Sequence, residues 1–456
     1  MAWIYAVMLL LSLFLIPSSH GGIQEQVVEK VLPNGLKVIL LENHKIPIVT
    51  LQVWYRVGSR NESWGKTGIS HMLEHMMFKS TKKVGPGEFS RIIQANGGNN
   101  NAMTSYDYTT YFSTLNSDRI NIALELEADR MRELVFKEDD FRTERLVVME
   151  ERRLRTMDNP HALVEEQVMA TAFQVQPYHW PTVGWMEDIE AITLDDLKAY
   201  YRQYYSPSNA FLVVTGDFRS DLLLARIEKT FGSIPRRDVP DPRNSTKEIQ
   251  EGERRVTVRK EARLPYLAVA YHVPNLGSPD GYVLEVISKI LAGGKSSRLY
   301  EKLVREKGLA LYASAANYLL SHDPNVFLFS VTPLAKKDLA KVEEALDEEI
   351  GRLKKELVSS EELTKAKNQA EAGLVYGQDS CFSQAMMLGQ NEIARDWRKI
   401  DEYIPSIQKV TAQDILRVAR LYFVPENRTV GVLAPVISKS EQAERPPLPR
   451  SAQTVR

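Results

Sequence analysis

Two histidines and a glutamate stand together in the pattern His71-x-x-Glu74-His75. In an α-helix each residue turns by roughly 100°, so His71 and His75 lie about 40° apart and Glu74 falls beside them. Two neutral imidazoles one turn apart can bind Zn²⁺, and a carboxylate beside them can act on a metal-bound water. The spacing therefore indicates metal-assisted hydrolysis.

The other side of the same predicted helix is apolar, with Ile69, Met72, Leu73 and Met76 in one stripe. A single histidine on an apolar helix is more often a hydrogen-bonded core residue than a ligand. A pair at i, i+4 with a glutamate between them instead favours a metal site. The order is the reverse of His-Glu-x-x-His, which is typical of inverted zincins.

A catalytic zinc ion usually has three protein ligands and one water, so a further ligand must come from elsewhere in the chain. The segment 137–155 predicts a helix that carries Glu144, Glu150 and Glu151. Glu144 and Glu151 are two turns apart and share one face, whereas Glu150 points about 100° away. Spacing alone leaves two interpretations, a carboxylate pair at the metal or a solvated charged face.

Composition limits the function classes. The chain has 456 residues, of which 43% are hydrophobic, and a formal net charge of -1. This length allows two or more domains with sizeable cores. The balanced charge provides no basic surface for nucleic acid, so we expect no nucleic-acid partner.

The first 22 residues contain no acidic or basic side chain, and Ile4 to Ile16 form an apolar run. This segment predicts a signal peptide at 1–22 and export, most simply to a periplasm. Because the usual basic residues are missing before the run, an uncleaved membrane anchor is the alternative. Cys381 is the only cysteine, which excludes an intramolecular disulfide and predicts a buried thiol.

Periodicity and turn signals predict alternating strands and helices through the first half. An Asn34-Gly35 turn indicates a hairpin over 28–41. The further predicted elements are strands at 46–57 and 101–115, the ligand helix from about Thr67, and helices at 87–93, 117–134 and 137–155.

The two halves of the chain look duplicated. Thr193 with Asp196 and Thr411 with Asp414 each begin a helix that leads through a Pro-bearing turn to a strand. The same offset places the metal motif opposite residues that cannot bind a metal, namely Ile290, Gly293 and Gly294. We therefore expect domains at 23–234 and 254–438, a linker at 235–253, a disordered tail at 439–456, and metal ligands in the first domain only.

These motifs together resemble the pitrilysin/insulinase family of zinc metallopeptidases, in its processing-peptidase-like branch. The resemblance covers nearly all of the mature chain. The residues that carry it are His71, Glu74, His75, the Glu144/Glu151 pair, Gly68, Phe78-Lys79-Ser80-Thr81, Asn101-Ala102-Met103-Thr104 and Tyr204-Tyr205-x-Pro207-x-Asn209.

The resemblance implies an α+β fold of two duplicated domains, each a mainly antiparallel sheet with helices packed on one side, enclosing a peptide chamber. It also implies a zinc cofactor. By resemblance, His71, His75 and Glu151 are the metal ligands, Glu74 is the general base that activates a metal-bound water, and Glu144 supports the site from outside the ligand set.

Substrate contacts are implied in the same way. Asn101 and Ala102 correspond to a strand edge that pairs with an extended peptide, and Arg305 and Tyr312 correspond to residues that reach the substrate carbonyl. The expected function is a zinc endopeptidase acting on unfolded or short peptides. The alternative is a non-catalytic structural or assembly subunit on the same fold. Because one chain carries both elements, we expect a homodimer, with a heterodimer with a related chain as the alternative.

Overall fold

The computed structural model describes residues 22–240, 248–335 and 337–436. The predicted signal peptide up to residue 21, residues 241–247 of the predicted linker and the tail from residue 437 lie outside the described residues. The predicted domain boundaries therefore stay predictions.

A six-stranded sheet organises the first half, in the order β1-β2-β8-β3-β6-β5. The β2/β8 pair is parallel and the other neighbouring pairs are antiparallel. Its strands are β1 (Val27–Val31), β2 (Lys37–Glu42), β3 (Ile48–Tyr55), β5 (Asn99–Thr104), β6 (Thr109–Asn116) and β8 (Ala210–Gly216), and a separate pair is formed by β4 (Ser80–Thr81) and β7 (Leu134–Val135).

The second half repeats this arrangement with a five-stranded sheet in the order β11-β12-β10-β13-β9. Only the β13/β9 pair in it is parallel. Its strands are β9 (Arg254–Glu261), β10 (Tyr266–Val273), β11 (Ala310–Asn317), β12 (Asn325–Pro333) and β13 (Arg428–Val436).

Fourteen α-helices are found among the described residues, and most of them pack on these sheets. In the first half they are α1 (Ile69–Met76), α2 (Glu88–Ala95), α3 (Ile120–Glu133), α4 (Glu138–Arg152), α5 (Pro160–Ala172), α6 (Met186–Ala191), α7 (Leu194–Tyr204) and α8 (Ser220–Phe231). In the second half they are α9 (Pro279–Ala292), α10 (Leu339–Lys355), α11 (Ser360–Tyr376), α12 (Cys381–Ala394), α13 (Ile400–Lys409) and α14 (Ala412–Tyr422).

One helix of each half packs on the sheet of the other half. Helix α12 packs on the outer face of the first sheet, where Gly389 lies against the ring of Trp54. Helix α5 packs on the outer face of the second sheet, where Val168 lies against Gly431. A Cβ atom at either glycine would lie 2.2–2.3 Å from the facing side chain, so both contacts depend on the missing side chain. The two halves are therefore interlocked.

A buried ion network reinforces this contact between the halves. The Arg60 guanidinium, 7% exposed, forms ion pairs with Asp107 of the first half and Asp323 of the second. Asp107 also accepts hydrogen bonds from the Tyr178 hydroxyl and from the backbone N–H of His322. The Arg60–Asp323 pair and the hydrogen bond from His322 to Asp107 therefore join the two halves.

The predicted fold class is confirmed, and so is the helical capping that indicated duplication, since Thr193 and Thr411 each form a capping box. The single strand predicted at 101–115 is wrong, because β5 and β6 form a hairpin that turns at 105–108. Thr and Tyr residues continue through this turn without a composition break, and the turn is held by the distant partners of Asp107. Among the described residues, no helix has the length and apolar character needed to cross a membrane.

Candidate metal centre

Helix α1 presents its metal motif on one face and its apolar stripe on the other. Met72, Leu73 and Met76 are fully buried in the first core. The helix begins after Gly68, whose φ of 87° lies in the left-handed region. A Cβ atom there would lie 2.3 Å from the carbonyl oxygen of Val183, so glycine is required at the start of this helix.

The structure brings His71, His75 and Glu151 together. The Nε2 atom of His71 lies 3.6 Å from Oε2 of Glu151, and the Nε2 atom of His75 lies 3.2 Å from the same oxygen. One donor atom from each of the three residues lies within 4.8 Å of the others. Among the described residues, no other group of three histidine, cysteine or acidic side chains converges in this way.

These distances fit a zinc ion. Ligand atoms that lie about 2.0–2.2 Å from a tetrahedral zinc ion are roughly 3.3–3.6 Å from one another. The separations of 3.2 and 3.6 Å to the shared carboxylate oxygen match that spacing. Two imidazoles and one carboxylate also form a donor set typical of catalytic zinc, with a fourth position left for water or substrate.

Glu144 lies behind His75 and not among the three converging residues. Its Oε2 atom is 3.0 Å from Nδ1 of His75, and its other oxygen forms an ion pair with Lys79. A carboxylate at Nδ1 keeps the proton there, which leaves the Nε2 lone pair free for a metal. The two glutamates that share a helical face thus contact opposite sides of one imidazole.

The two imidazoles differ in their electrostatic surroundings. Burial lowers the pKa of His71 to about 4. Burial also acts to lower the pKa of His75, but hydrogen bonds with Glu144 and Glu151 outweigh it and raise the value to about 9. At neutral pH, His71 is therefore neutral without a metal, whereas His75 must lose a proton before its Nε2 can bind one.

Glu74 lies beside this group and is 9% exposed. Burial raises the pKa of its carboxyl group, which brings it closer to the range in which a carboxylate exchanges protons at neutral pH. The Thr104 hydroxyl donates a hydrogen bond of 2.5 Å to its Oε2 atom. The sequence pattern does not single out Thr104 as an orienting residue, although alternation along β5 places it on the same side of the strand as Ala102.

Arg155 was also missed. Its guanidinium lies 2.6 Å from Oε1 of Glu151, the carboxylate oxygen that does not face the histidines. The i, i+4 spacing of Glu151 and Arg155 is the sequence signal that could have revealed this pair. The contact holds the Glu151 carboxylate with Oε2 turned toward the two imidazoles.

Asn101 and Ala102 lie on β5, which is the edge strand of the first sheet. The Asn101 side-chain oxygen accepts a hydrogen bond of 2.9 Å from the backbone N–H of Ala102. The edge of a sheet offers backbone donors and acceptors to an added strand. This edge is adjacent to the metal centre, because Thr104 on the same strand contacts Glu74.

Arg305 and Tyr312 lie in the second half, and no described contact joins them to the three converging residues. The Arg305 side chain is 72% exposed and pairs with Glu301. Tyr312 is 59% exposed and lies on β11, the edge strand of the second sheet. Both side chains are therefore available to a molecule that approaches from outside.

A cavity of about 420 Å³ lies between the two halves. Arg152, Thr156 and Val183 line it from the first half, and Tyr318 and Asn325 line it from the second.

Comparison with known proteins gives consistent matches along the chain. A family profile described as insulinase (peptidase family M16) matches residues 37–184, and a profile described as the peptidase M16 inactive domain matches residues 191–370. A zinc protease, PqqE of Helicobacter pylori, is 37% identical over 414 residues, covering 89% of this chain and 92% of that protein.

Two further relatives extend the comparison. A probable mitochondrial-processing peptidase beta subunit of Arabidopsis thaliana is 28% identical, covering 92% of this chain and 81% of that protein. The crystal structure of a protease from Helicobacter pylori superposes with a TM-score of 0.86 at 35% identity, covering 90% of this chain and 99% of that one.

Proposed function

The chain belongs to peptidase family M16, the insulinase family, and from this premise we propose that it is a zinc-dependent endopeptidase that hydrolyses unfolded or short peptides. The convergence of His71, His75 and Glu151 is the observation that carries the proposal. A family member that served only as a scaffold would have no need of this complete donor set.

The first half would supply the metal ligands and their support. His71, His75 and Glu151 would bind Zn²⁺, while Glu144 and Arg155 hold two of these ligands in orientation. A zinc ion there would polarise the scissile carbonyl and lower the pKa of a water molecule.

Glu74 would move the protons in this reaction. Its buried carboxylate takes a proton from the attacking water and then delivers it to the leaving amine, as a general base followed by a general acid. The hydrogen bond from Thr104 fixes one carboxylate oxygen, which leaves the other to face the water. Correct orientation of this group saves entropy in the transition state.

The β5 edge would hold the peptide. An extended substrate that pairs with Asn101 and Ala102 joins the sheet through backbone hydrogen bonds, which need no particular side chains. A folded protein does not offer a free extended segment, so this mode selects unfolded or short peptides. The cavity between the halves would then receive part of the bound chain.

We further propose a homodimer in which a second copy completes the site. Arg305 and Tyr312 are exposed and make no described contact with the metal ligands of their own chain, so they would reach a substrate carbonyl on the partner copy. A mixture of Glu74→Gln chains and Arg305→Ala chains, each inactive alone, should recover activity on subunit exchange. No recovery in mixtures shown to exchange subunits would contradict the shared site.

The N-terminal sequence supports export to a periplasm, with an uncleaved membrane anchor as the alternative. Mass spectrometry of the protein from its native host distinguishes the two. Loss of about 22 residues supports a cleaved signal peptide. An intact N-terminus in the membrane fraction supports the anchor.

The decisive experiment combines metal analysis with peptide hydrolysis. Purified protein should contain about one zinc ion per chain and should cleave an unstructured peptide. It should lose activity with a chelator and regain activity with added zinc. A chain that binds no zinc under these conditions would instead support the non-catalytic assembly subunit.

A further inference from the structure

Two carboxylates surround the start of helix α1. Glu62 is 2% exposed, and both of its oxygens accept backbone hydrogen bonds from this helix. Its Oε2 accepts from the N–H of Gly68 at 2.7 Å, and its Oε1 accepts from the N–H of Ser70 at 2.9 Å. The mechanism proposed above does not use this residue.

Asp188 lies next to it. Its Oδ2 atom accepts hydrogen bonds from the Thr67 hydroxyl at 2.6 Å and from the Thr67 backbone N–H at 3.1 Å. The Thr67 hydroxyl in turn accepts a hydrogen bond from the N–H of Trp185. The helix start is thus held from two sides by acidic groups of distant segments.

These acidic groups offset an unfavourable electrostatic interaction between the start of α1 and a cation at His71. His71 is the third residue of α1, about 4.5 Å along the helix axis from Gly68. The N-terminus of a helix carries a partial positive charge of about half a unit, which disfavours a cation nearby. A dication bound by His71 would therefore be repelled by the positive N-terminal end of its own helix, unless negative charge nearby offsets the repulsion.

We propose that Glu62 is a positioning residue of the metal centre, whose carboxylate fixes the start of helix α1 and offsets the helix field that opposes a dication at His71. The proposal rests on the proposed function for the identity of that cation as zinc. Asp188 acts in the same direction from the neighbouring turn.

Metal binding and ionisation of Glu62 should reinforce each other. Burial raises the pKa of Glu62 to about 8, and the N–H donors of Ser70 and Gly68 oppose that rise. The other titratable groups that face it are Asp188, which raises its pKa further, and the Tyr200 hydroxyl. A nearby dication favours the ionised carboxylate, so the affinity for zinc should increase as the pH rises through about 8.

The test is the zinc affinity of Glu62→Gln, measured by chelator competition and independent of peptide hydrolysis. The amide keeps the shape of the side chain but removes its charge and one of the two acceptor atoms that Gly68 and Ser70 use. We expect affinity to fall by about 10-fold or more, within the range found for groups that support metal ligands. The increase in affinity between pH 7 and pH 9 should also be smaller in the variant.

A matched control separates charge from packing. The Tyr200 hydroxyl shares a hydrogen bond of 2.8 Å with Ser70 on the same turn of α1, but it is neutral at the pH of the assay. Tyr200→Phe should lower the melting temperature of the metal-free protein while zinc affinity stays within about twofold of wild type. If Glu62→Gln does not fold, Asp188→Asn replaces it, with an expected loss of several-fold in affinity.

The proposal would be overturned if Glu62→Gln lowered the melting temperature but left zinc affinity unchanged. If Asp188→Asn is measured in its place, an unchanged zinc affinity in that variant would also overturn the proposal. The outcome is separable from a failure of the proposed function. A wild-type chain that binds zinc but cleaves no peptide removes the peptidase assignment and leaves the affinity comparison readable.

Discussion

Helices α1 and α9 occupy equivalent places in the duplicated fold, each following the strand that lies near the centre of its sheet, and only α1 carries metal ligands. Helix α1 has 8 residues and begins after Gly68, where two carboxylates accept its backbone hydrogen bonds. Helix α9 has 14 residues and begins with a neutral cap, in which the Ser278 hydroxyl accepts a hydrogen bond from the N–H of Asp280.

The C-terminus of α9 corresponds to the metal motif of α1 and is closely packed against another helix. The helix ends before Gly293, and the amide of Gln369 donates a hydrogen bond of 2.6 Å to the Gly293 carbonyl. A Cβ atom at Gly293 would lie 2.3 Å from the Gln369 side-chain oxygen. Close packing by α11 therefore occupies the region where the first half has open ligand positions.

The comparison shows that the two halves share their arrangement of strands and helices, whereas among the described residues the candidate metal ligands are found in the first half only. Both halves have a mainly antiparallel sheet, a capping box and a helix from the other half packed on the sheet, namely α12 on the first and α5 on the second. Each sheet needs helices packed on its apolar faces to form a core. The start of α9 also has a carboxylate, Asp280, but it pairs with the guanidinium of Arg417, whereas Glu62 and Asp188 accept hydrogen bonds from backbone N–H groups at the start of α1. Function in this fold depends on the groups that surround one helix.

The largest expected effect comes from Glu74→Gln, which tests whether the first half alone carries the chemistry. We expect the turnover number for an unstructured peptide to fall by about 10³-fold, because the proton acceptor is lost. Zinc content should stay near that of wild type, since Glu74 is not among the converging ligands. Wild-type turnover in this variant would remove Glu74 from the mechanism.

The next effect concerns the ligand that helix α4 contributes. Glu151→Gln should reduce zinc affinity by more than the 10- to 100-fold typical of outer-sphere partners, because a direct charged ligand is lost. Equilibrium dialysis with a zinc-selective chelator measures this change. The neighbouring variant Glu150→Gln is the control, since Glu150 pairs with Arg153 away from the site, and its affinity should not change.

A smaller loss is expected for Glu144→Gln, which keeps all three ligands. Without the carboxylate, the Nδ1 proton of His75 is less firmly fixed, and zinc affinity should fall by roughly 10- to 100-fold. Calorimetric titration with zinc measures the change. An affinity loss as large as that of Glu151→Gln would show that Glu144 is itself a ligand.

The stability contributed by Glu62 at the start of α1 should depend on pH, unlike that of the neutral Ser278 cap of α9. In the metal-free protein, the pKa of Glu62 is raised from 4.5 to about 8. A raised carboxyl pKa contributes stability that is complete below the unfolded value and is lost as pH rises through the folded value. Melting temperature should therefore decline between pH 5 and pH 9, and Glu62→Gln should flatten that decline. An identical decline in the variant would assign the pH dependence to other groups.

The smallest effect is expected in the second half. Ser278→Ala removes a neutral cap and should cost about 1 kcal/mol of stability without changing zinc affinity. Chemical denaturation and chelator competition on the same preparation measure both quantities. A change in zinc affinity would show that the two halves are energetically coupled across their interface.

Several parts of the fold followed from local patterns. The helix at His71 was predicted because its apolar residues recur at a period that only a helix brings onto one face, and those residues are buried. The β5–β6 hairpin was missed, because its turn carries no Asn-Gly signal and is held by contacts from Asp107 to distant residues.

By itself, the sequence determined the alternation of strands and helices, the duplicated capping pattern and the shared face of His71, Glu74 and His75, because helical and strand periodicity are local properties of the chain. The α+β class followed from the family resemblance of its motifs. Helical spacing placed Glu144 and Glu151 on one face and left open how they divide their contacts, and only the family resemblance implied that Glu151 is the ligand and Glu144 its support. The tertiary structure supplied the atoms that meet, with Glu151 facing both Nε2 atoms and Glu144 facing Nδ1 of His75.

The tertiary structure also decided the contacts of Thr104 and Glu62, and the exposure of the Arg305 side chain. These relations join segments that are distant in sequence, and they depend on how helices and sheets pack against one another. Local periodicity contains no information about that packing, so these contacts could be read only from the folded chain.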